Sequence, residues 1–366
     1  PNNPAPYGII GWHQLDSFAY VYDRYDIWKL DPTGRVKPIN ITRNGRANKD
    51  VYRYVKLDAE ERYFITGQPI YLRVQNEKTK SVSLYQGYLN DKLVLKPIAE
   101  SPANNYGLLA KAKEVPMVIY TKESFTNSPD LYFYNGEKTS RLSEINKQQS
   151  SYNWGTSELY KWKTFTGKQS EGILYKPEDF DPKKKYPMII YFYEKLTDGL
   201  NSYIAPTPTP SRLNIPFYVS RGYLVFAPDI TYTKGQPRKD AYNYIVSGAQ
   251  ALAKNAWVDA KNIAIQGQSW GGYQVAALIT QTNMFKAAWA GAPVANMTSA
   301  YGGIRWESGN NRQFQYEKGQ SRMGATLWEA PQKYIDQSPL FHLPKVKTPL
   351  VIMANDADGA VPWYQG

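Results

Sequence analysis

Ile263-Ala264-Ile265-Gln266 gives way to Gly267-Gln268-Ser269-Trp270-Gly271-Gly272-Tyr273, and Val275-Ala276-Ala277-Leu278-Ile279 follows at once. The order reads as a buried strand, a tight glycine-flanked turn and an apolar helix. A serine placed as G-x-S-x-G between strand and helix leaves the sheet on a sharp bend, so its hydroxyl stands clear. Gly267 and Gly271 tolerate the crowding because they lack Cβ. The helix beginning behind Ser269 aims its first amides and its positive dipole end at negative charge developing there. The plainer alternative is a glycine-rich strand–helix connection with no chemistry.

Around this segment the second half alternates strand-like and helical patterns, which predicts a mostly parallel sheet with crossover helices. The other buried-strand candidates are Met188-Ile189-Ile190-Tyr191-Phe192-Tyr193, Tyr223-Leu224-Val225-Phe226-Ala227 and Leu350-Val351-Ile352-Met353-Ala354. Between the strands at Tyr223 and Ile263, residues 240–255 place Ala241, Ile245, Ala249 and Leu252 on one helical face. Pro206-Thr207-Pro208-Thr209-Pro210 reads as a stiff extended loop rather than a domain linker.

Residues 1–158 read instead as short strands and turns. Ala19-Tyr20-Val21-Tyr22, Ile27-Trp28-Lys29-Leu30, Ile70-Tyr71-Leu72-Arg73-Val74, Pro116-Met117-Val118-Ile119-Tyr120 and Leu131-Tyr132-Phe133-Tyr134 are strand candidates. Asn135-Gly136 closes the last as a hairpin signal. The pairs Ile27-Trp28, Ile70-Tyr71 and Leu131-Tyr132 recur, the first interval falling near the roughly 40–50 residues of a propeller blade. The fold expected is therefore an α/β hydrolase, a mostly parallel doubly wound sheet over residues 159–366, preceded by an all-β, propeller-like region over 1–158.

Composition narrows the chemistry. The 366 residues contain no cysteine and two histidines, which excludes disulfides, thiolate sites and a metal centre built on imidazoles. The net charge of +12 is spread out, its longest basic run being Lys183-Lys184-Lys185, and does not mark a nucleic-acid partner. No apolar run approaches the roughly 18 residues that span a bilayer. The 31 tyrosines suit a strand-rich region with cross-strand aromatic contacts.

A serine nucleophile needs a base and a carboxylate that orients it. On an α/β-hydrolase sheet the chain order is Ser, then Asp or Glu, then His. Asp356 and Asp358 both follow the strand at Leu350, at the end of the sheet where this fold class builds its sites. His342 precedes them and His13 lies in the β-rich half, so packing or surface roles are expected for both. The chain opens Pro1-Asn2-Asn3-Pro4 and ends Trp363-Tyr364-Gln365-Gly366. The expectation is a piece of a longer chain, its catalytic histidine on a loop past Gly366.

These motifs together resemble the prolyl oligopeptidase family, and within it the dipeptidyl-peptidase-IV-like branch. The likeness runs through Glu171-Gly172-Ile173-Leu174-Tyr175-Lys176-Pro177, Tyr186-Pro187-Met188, Gly222-Tyr223-Leu224-Val225, Gly267 to Tyr273, Ala292-Pro293-Val294, Ser338-Pro339 and Asp358-Gly359-Ala360-Val361-Pro362. It implies closing blades of a β-propeller ahead of the hydrolase domain, and a serine peptidase acting on short peptides without a cofactor. It implies Ser269 as nucleophile and Asp358, rather than Asp356, as triad carboxylate. The Trp270 amide and the Tyr193 hydroxyl become the oxyanion donors. Trp270, Tyr273, Val294 and Tyr301 become walls of the pocket for the residue before the scissile bond, with core packing as the alternative. Glu194-Lys195 after Tyr193 depart from the family's small residues. Glu60-Glu61 offers itself as an amine-binding pair, but its context reads as an exposed turn. A relative that only binds peptides, or an esterase on the same fold, stays open. So do cleavage preference, exo- against endopeptidase action and oligomeric state, with which a homodimer is compatible. The resemblance favours export, periplasmic or extracytoplasmic, over the cytoplasm without deciding it.

Overall fold

Leu174, Ile190, Phe192, Leu224, Phe226, Ile263 and Ile265 are buried together in one cluster, and they come from four neighbouring strands, Phe192 from just past the end of one. These strands belong to a computed structural model that describes residues 5–209 and 211–366. Pro1 to Pro4, and Pro210 at the end of the proline-rich loop, lie outside the described residues. The chain divides into two compact units, one of residues 5–151 with Asn201–Tyr203, the other of Tyr152–Leu200 with Ile204–Gly366.

The first unit holds three four-stranded antiparallel sheets, each a simple meander. β1 (Ile9–Trp12), β2 (Ala19–Tyr22), β3 (Ile27–Leu30) and β4 (Ile39–Asn40) form the first. β5 (Asp50–Tyr54), β6 (Pro69–Asn76), β7 (Val82–Tyr88) and β8 (Leu95–Ala99) form the second. β9 (Asn105–Lys111), β10 (Val118–Ser124), β11 (Asn127–Tyr134) and β12 (Thr139–Arg141) form the third. Because side chains alternate along a strand, β6 serves two cores. Ile70, Leu72 and Val74 pack with Tyr20 and Ile27 of the first sheet and with Ile41 just past it. Tyr71, beside Leu84, packs with Tyr106, Val118 and Tyr120 of the third. Stacked four-stranded meanders make this region propeller-like, as the sequence suggested. The recurring aliphatic–aromatic pairs are not a strict repeat: they fall on β3, β6 and β11, which are third, second and third strands of their sheets.

The second unit is built on a seven-stranded sheet of order β13-β14-β16-β15-β17-β18-β19. The strands are β13 (Thr156–Lys163), β14 (Gln169–Lys176), β15 (Tyr186–Tyr191), β16 (Leu224–Pro228), β17 (Val258–Gln268), β18 (Ala287–Gly291) and β19 (Leu350–Met353). β14 runs antiparallel to both its neighbours and the pairs from β16 to β19 are parallel. This is the α/β-hydrolase arrangement expected. The expected boundary at 158/159 falls inside β13, whose eight residues pair with β14, so the contacts divide earlier, between Ser151 and Tyr152.

Crossover helices cover the sheet. α1 (Pro237–Ala241) continues through a π-helical turn (Tyr242–Val246) into α2 (Ser247–Ala253). Ala241, Ile245, Ala249 and Leu252 are all fully buried there, the face the sequence periodicity marked. α3 (Trp270–Ile279) is buried at each of its ten positions, as a helix apolar all round must be. At the centre of the sheet, Ile190→Ala should cost about 2–5 kcal/mol. Denaturant titration of the α/β unit checks this, and a loss under 1 kcal/mol would show a loosely packed core.

Candidate active site

β17 hands the chain to α3 through Ser269, whose backbone sits at φ 59° and ψ −114°. A side chain with Cβ enters that region only under constraint. The Ser269 N–H donates to the Gly291 carbonyl at the end of β18 (2.8 Å), and the Tyr273 N–H returns to the Ser269 carbonyl (3.0 Å). Close backbone approach does the rest. A Cβ on Gly267 would lie 2.5 Å from Gly271 C and O, one on Gly271 2.8 Å from the Phe192 carbonyl, and one on Gly272 2.3 Å from the Gly291 carbonyl. Three glycines thus press the start of α3 against the ends of β15, β17 and β18. Ser269 is half-buried, and its Oγ has no hydrogen-bond partner among the described residues.

Tyr193 follows β15 by two residues and stands beside this turn: the Cβ position of Gly271 is 3.8 Å from its ring. Its carbonyl accepts from Gln274 Nε2 (2.7 Å), and its hydroxyl oxygen accepts from Gln320 Nε2 (2.8 Å). Glu194, which departs from the family's pattern, meets Arg322 through two bonds of 2.8 and 3.1 Å. Asp229 takes the Leu196 and Thr197 amides and the Thr197 hydroxyl. The loop after Tyr193 is therefore held by specific partners despite its unusual residues.

Asp358 lies in the loop after β19 and is half-buried, whereas Asp356 is exposed. Asp358 Oδ1 accepts the Ala360 and Val361 amides at 2.8 and 2.9 Å. Oδ2 has no partner among the described residues, so it is free to take an imidazole N–H. Val361 is packed in one cluster with Trp270 and Tyr273, which sets the carboxylate loop against the start of α3.

Trp270 contributes its backbone N–H at the first helical position, where no intrahelical acceptor exists. Its indole stacks on Tyr273 at 4.5 Å and donates to the Tyr232 hydroxyl at 3.2 Å. Tyr232 also accepts from Gln274. Burial pushes both the Tyr232 and the Tyr273 phenols up, which keeps them neutral. The residues expected as pocket walls are buried beside Trp270. Tyr273, Val294 and Tyr301 are 0%, 5% and 1% exposed in the cluster that holds Trp270. Tyr301 packs on Tyr334 and donates to Glu317 at 2.5 Å.

The histidines are engaged elsewhere. His13 bonds Ser17 and Thr66 at 3.0 Å, and His342 bonds the Asp336 carbonyl at 3.0 Å. Glu61 of the proposed amine pair accepts from Tyr54 and Gln68, while Glu60 sits exposed in a turn. Tyr232, Gln274, Arg312, Gln315 and Gln320 were not singled out by sequence; no motif spacing marks them, and only the fold brings them here. Among the described residues no helix is long and apolar enough to cross a membrane.

A sequence profile of the prolyl oligopeptidase family matches residues 210–366. Residues 210–366 are thus similar to the prolyl oligopeptidase family. Dipeptidyl peptidase 8 of Mus musculus is 32% identical over 150 residues, 37% of this chain and 17% of that relative. The uncharacterized peptidase YuxL of Bacillus subtilis (strain 168) is 23% identical over 222 residues, 57% of this chain and 31% of that relative. Among solved structures, Porphyromonas gingivalis dipeptidyl peptidase 4 has a TM-score of 0.67 at 20% identity, over 97% of this chain and 48% of that one. Prolyl oligopeptidase B from Galerina marginata has a TM-score of 0.73 at 14% identity, over 97% and 49%. At such identities these structures establish the shared fold, a propeller-like β region followed by an α/β hydrolase. The chain spans about half the length of these solved relatives.

If the glycine contacts create the turn, Gly272→Ala should force α3 off β18 and cost about 1–3 kcal/mol. Thermal unfolding checks this, and an unchanged midpoint would mean the close approach is not needed.

Proposed function

We propose that this chain is part of a serine peptidase that hydrolyses short peptides by acyl transfer to water. The single observation that carries the proposal is Ser269, held strained at the strand–helix turn, half-exposed, with its Oγ unbonded. In this reading Ser269 Oγ attacks the substrate carbonyl and gives its proton to a histidine. Neither His13 nor His342 bonds to Asp358, so we assign the base to a histidine outside these 366 residues. Asp358 Oδ2 receives that ring's other N–H, while the amides on Oδ1 fix the carboxylate plane. Charge builds on the carbonyl oxygen, and the Trp270 N–H and the Tyr193 O–H are the two donors this reading assigns to it. The same histidine then protonates the leaving amine, and water repeats the sequence on the acyl-enzyme.

The match to peptidases, and the propeller-like unit that accompanies the α/β unit, favour peptides over simple esters as substrate. In the protein produced from its intact gene, Ser269→Ala should abolish hydrolysis of a peptide amide. Asp358→Asn should lower kcat by about 10⁴, and Tyr193→Phe by about 10²–10³. Steady-state assays on a peptide library measure all three, and wild-type turnover in Ser269→Ala would remove the proposal.

A further inference from the structure

Arg312 is 2% exposed, and among the described residues no carboxylate pairs with it. Its guanidinium donates through Nη1 to the Ala360 carbonyl (2.6 Å) and through Nη2 to Gln315 Oε1 (3.3 Å). Gln315 Nε2 donates to Gln320 Oε1 (3.4 Å), and Gln320 Nε2 donates to the Tyr193 hydroxyl oxygen (2.8 Å). A line of hydrogen bonds thus runs from the carboxylate loop, where the Ala360 N–H holds Asp358, to the Tyr193 phenol, whose ring lies by Gly271. Its polarity is fixed at one end. Arginine has donors only, so Gln315 must turn its carbonyl to Arg312 and its amide to Gln320. Gln320 must in turn present its amide to Tyr193. The Tyr193 oxygen is then occupied as an acceptor, and its proton has to point away from Gln320.

We propose that Arg312, Gln315 and Gln320 form a directional relay that keeps the Tyr193 hydroxyl as a donor toward the Ser269 turn. All three are positioning residues. They touch neither substrate nor the reacting atoms, and they act by denying Tyr193 an alternative acceptor. The segment carrying Gln320 is pinned for this purpose. Arg322 donates to the Gln320 carbonyl (2.6 Å) while it pairs with Glu194, the residue after Tyr193. Arg312 caps the start of α4 (Gln313–Glu317), and Gln315 lies on that helix. The inference depends on the reading of Tyr193 as an oxyanion donor.

Gln315→Glu separates direction from mere contact. A carboxylate at this position accepts from Arg312 and from Gln320 Nε2 at once, which reverses Gln320 and turns its carbonyl to Tyr193. The phenol then donates to Gln320 instead of to the substrate. In the protein from its intact gene, Gln315→Glu should lower kcat by about tenfold or more with KM nearly unchanged. Its melting temperature should stay at or above wild type, because the buried arginine gains a carboxylate. Gln320→Met, which removes the amide and keeps the volume, should lower kcat about fivefold. Tyr193→Phe combined with Gln315→Glu should be no slower than Tyr193→Phe alone. Wild-type kcat in Gln315→Glu, or losses that multiply in the double variant, would overturn the relay while leaving Tyr193 its role. No loss in Tyr193→Phe itself would remove the reading beneath both.

Discussion

The structure depends on one close backbone approach. Gly267, Gly271 and Gly272 let the first turn of α3 lie against the carbonyl ends of β15 and β18, at spacings where any Cβ would be within 2.3–2.8 Å of backbone atoms. That contact leaves Ser269 a positive φ it would not adopt in a free chain. The strain is offset by the apolar burial on either side of the turn, where all of α3 and the centre of the sheet are removed from water. The position of Ser269 is thus set by close packing together with two backbone hydrogen bonds, to Gly291 and from Tyr273.

Around that point the polar groups come from separate parts of the fold. The Trp270 amide belongs to the turn itself. Tyr193 comes from the next strand and is tied back by Gln274 through its carbonyl. Asp358 comes from the last loop, its Oδ1 consumed by two amides and its Oδ2 left open. Beyond these, Arg312 and two glutamines join the acid loop to Tyr193. A buried arginine with no carboxylate partner among the described residues is costly to keep, and a fixed hydrogen-bond polarity is a return that a methionine of similar length would not give.

The parts of this arrangement that could be read from the chain are those encoded by local pattern. The strand, G-x-S-x-G and helix around Ser269 are contiguous, and the helical face of Ala241, Ile245, Ala249 and Leu252 repeats at the helical period, so both were legible. Ala287-Ala288-Trp289-Ala290-Gly291 was not, because a short strand of small residues shows neither alternation nor β-branching, although β18 supplies the carbonyl that holds Ser269. The boundary near residue 158 was displaced because Thr156 and Ser157 give no apolar signal while already pairing with β14. Family likeness marks Tyr273, Val294 and Tyr301 as pocket walls, and they share one buried cluster with Trp270. The relay escaped notice since glutamines acquire direction only from their neighbours in space.

The central claim is that the oxygen at this turn is an acylatable nucleophile. Treating the protein from its intact gene with a fluorophosphonate and mapping the adduct by peptide mass spectrometry tests it directly. The account predicts modification at Ser269, lost after prior heat denaturation. An unlabelled Ser269 in folded protein would contradict it.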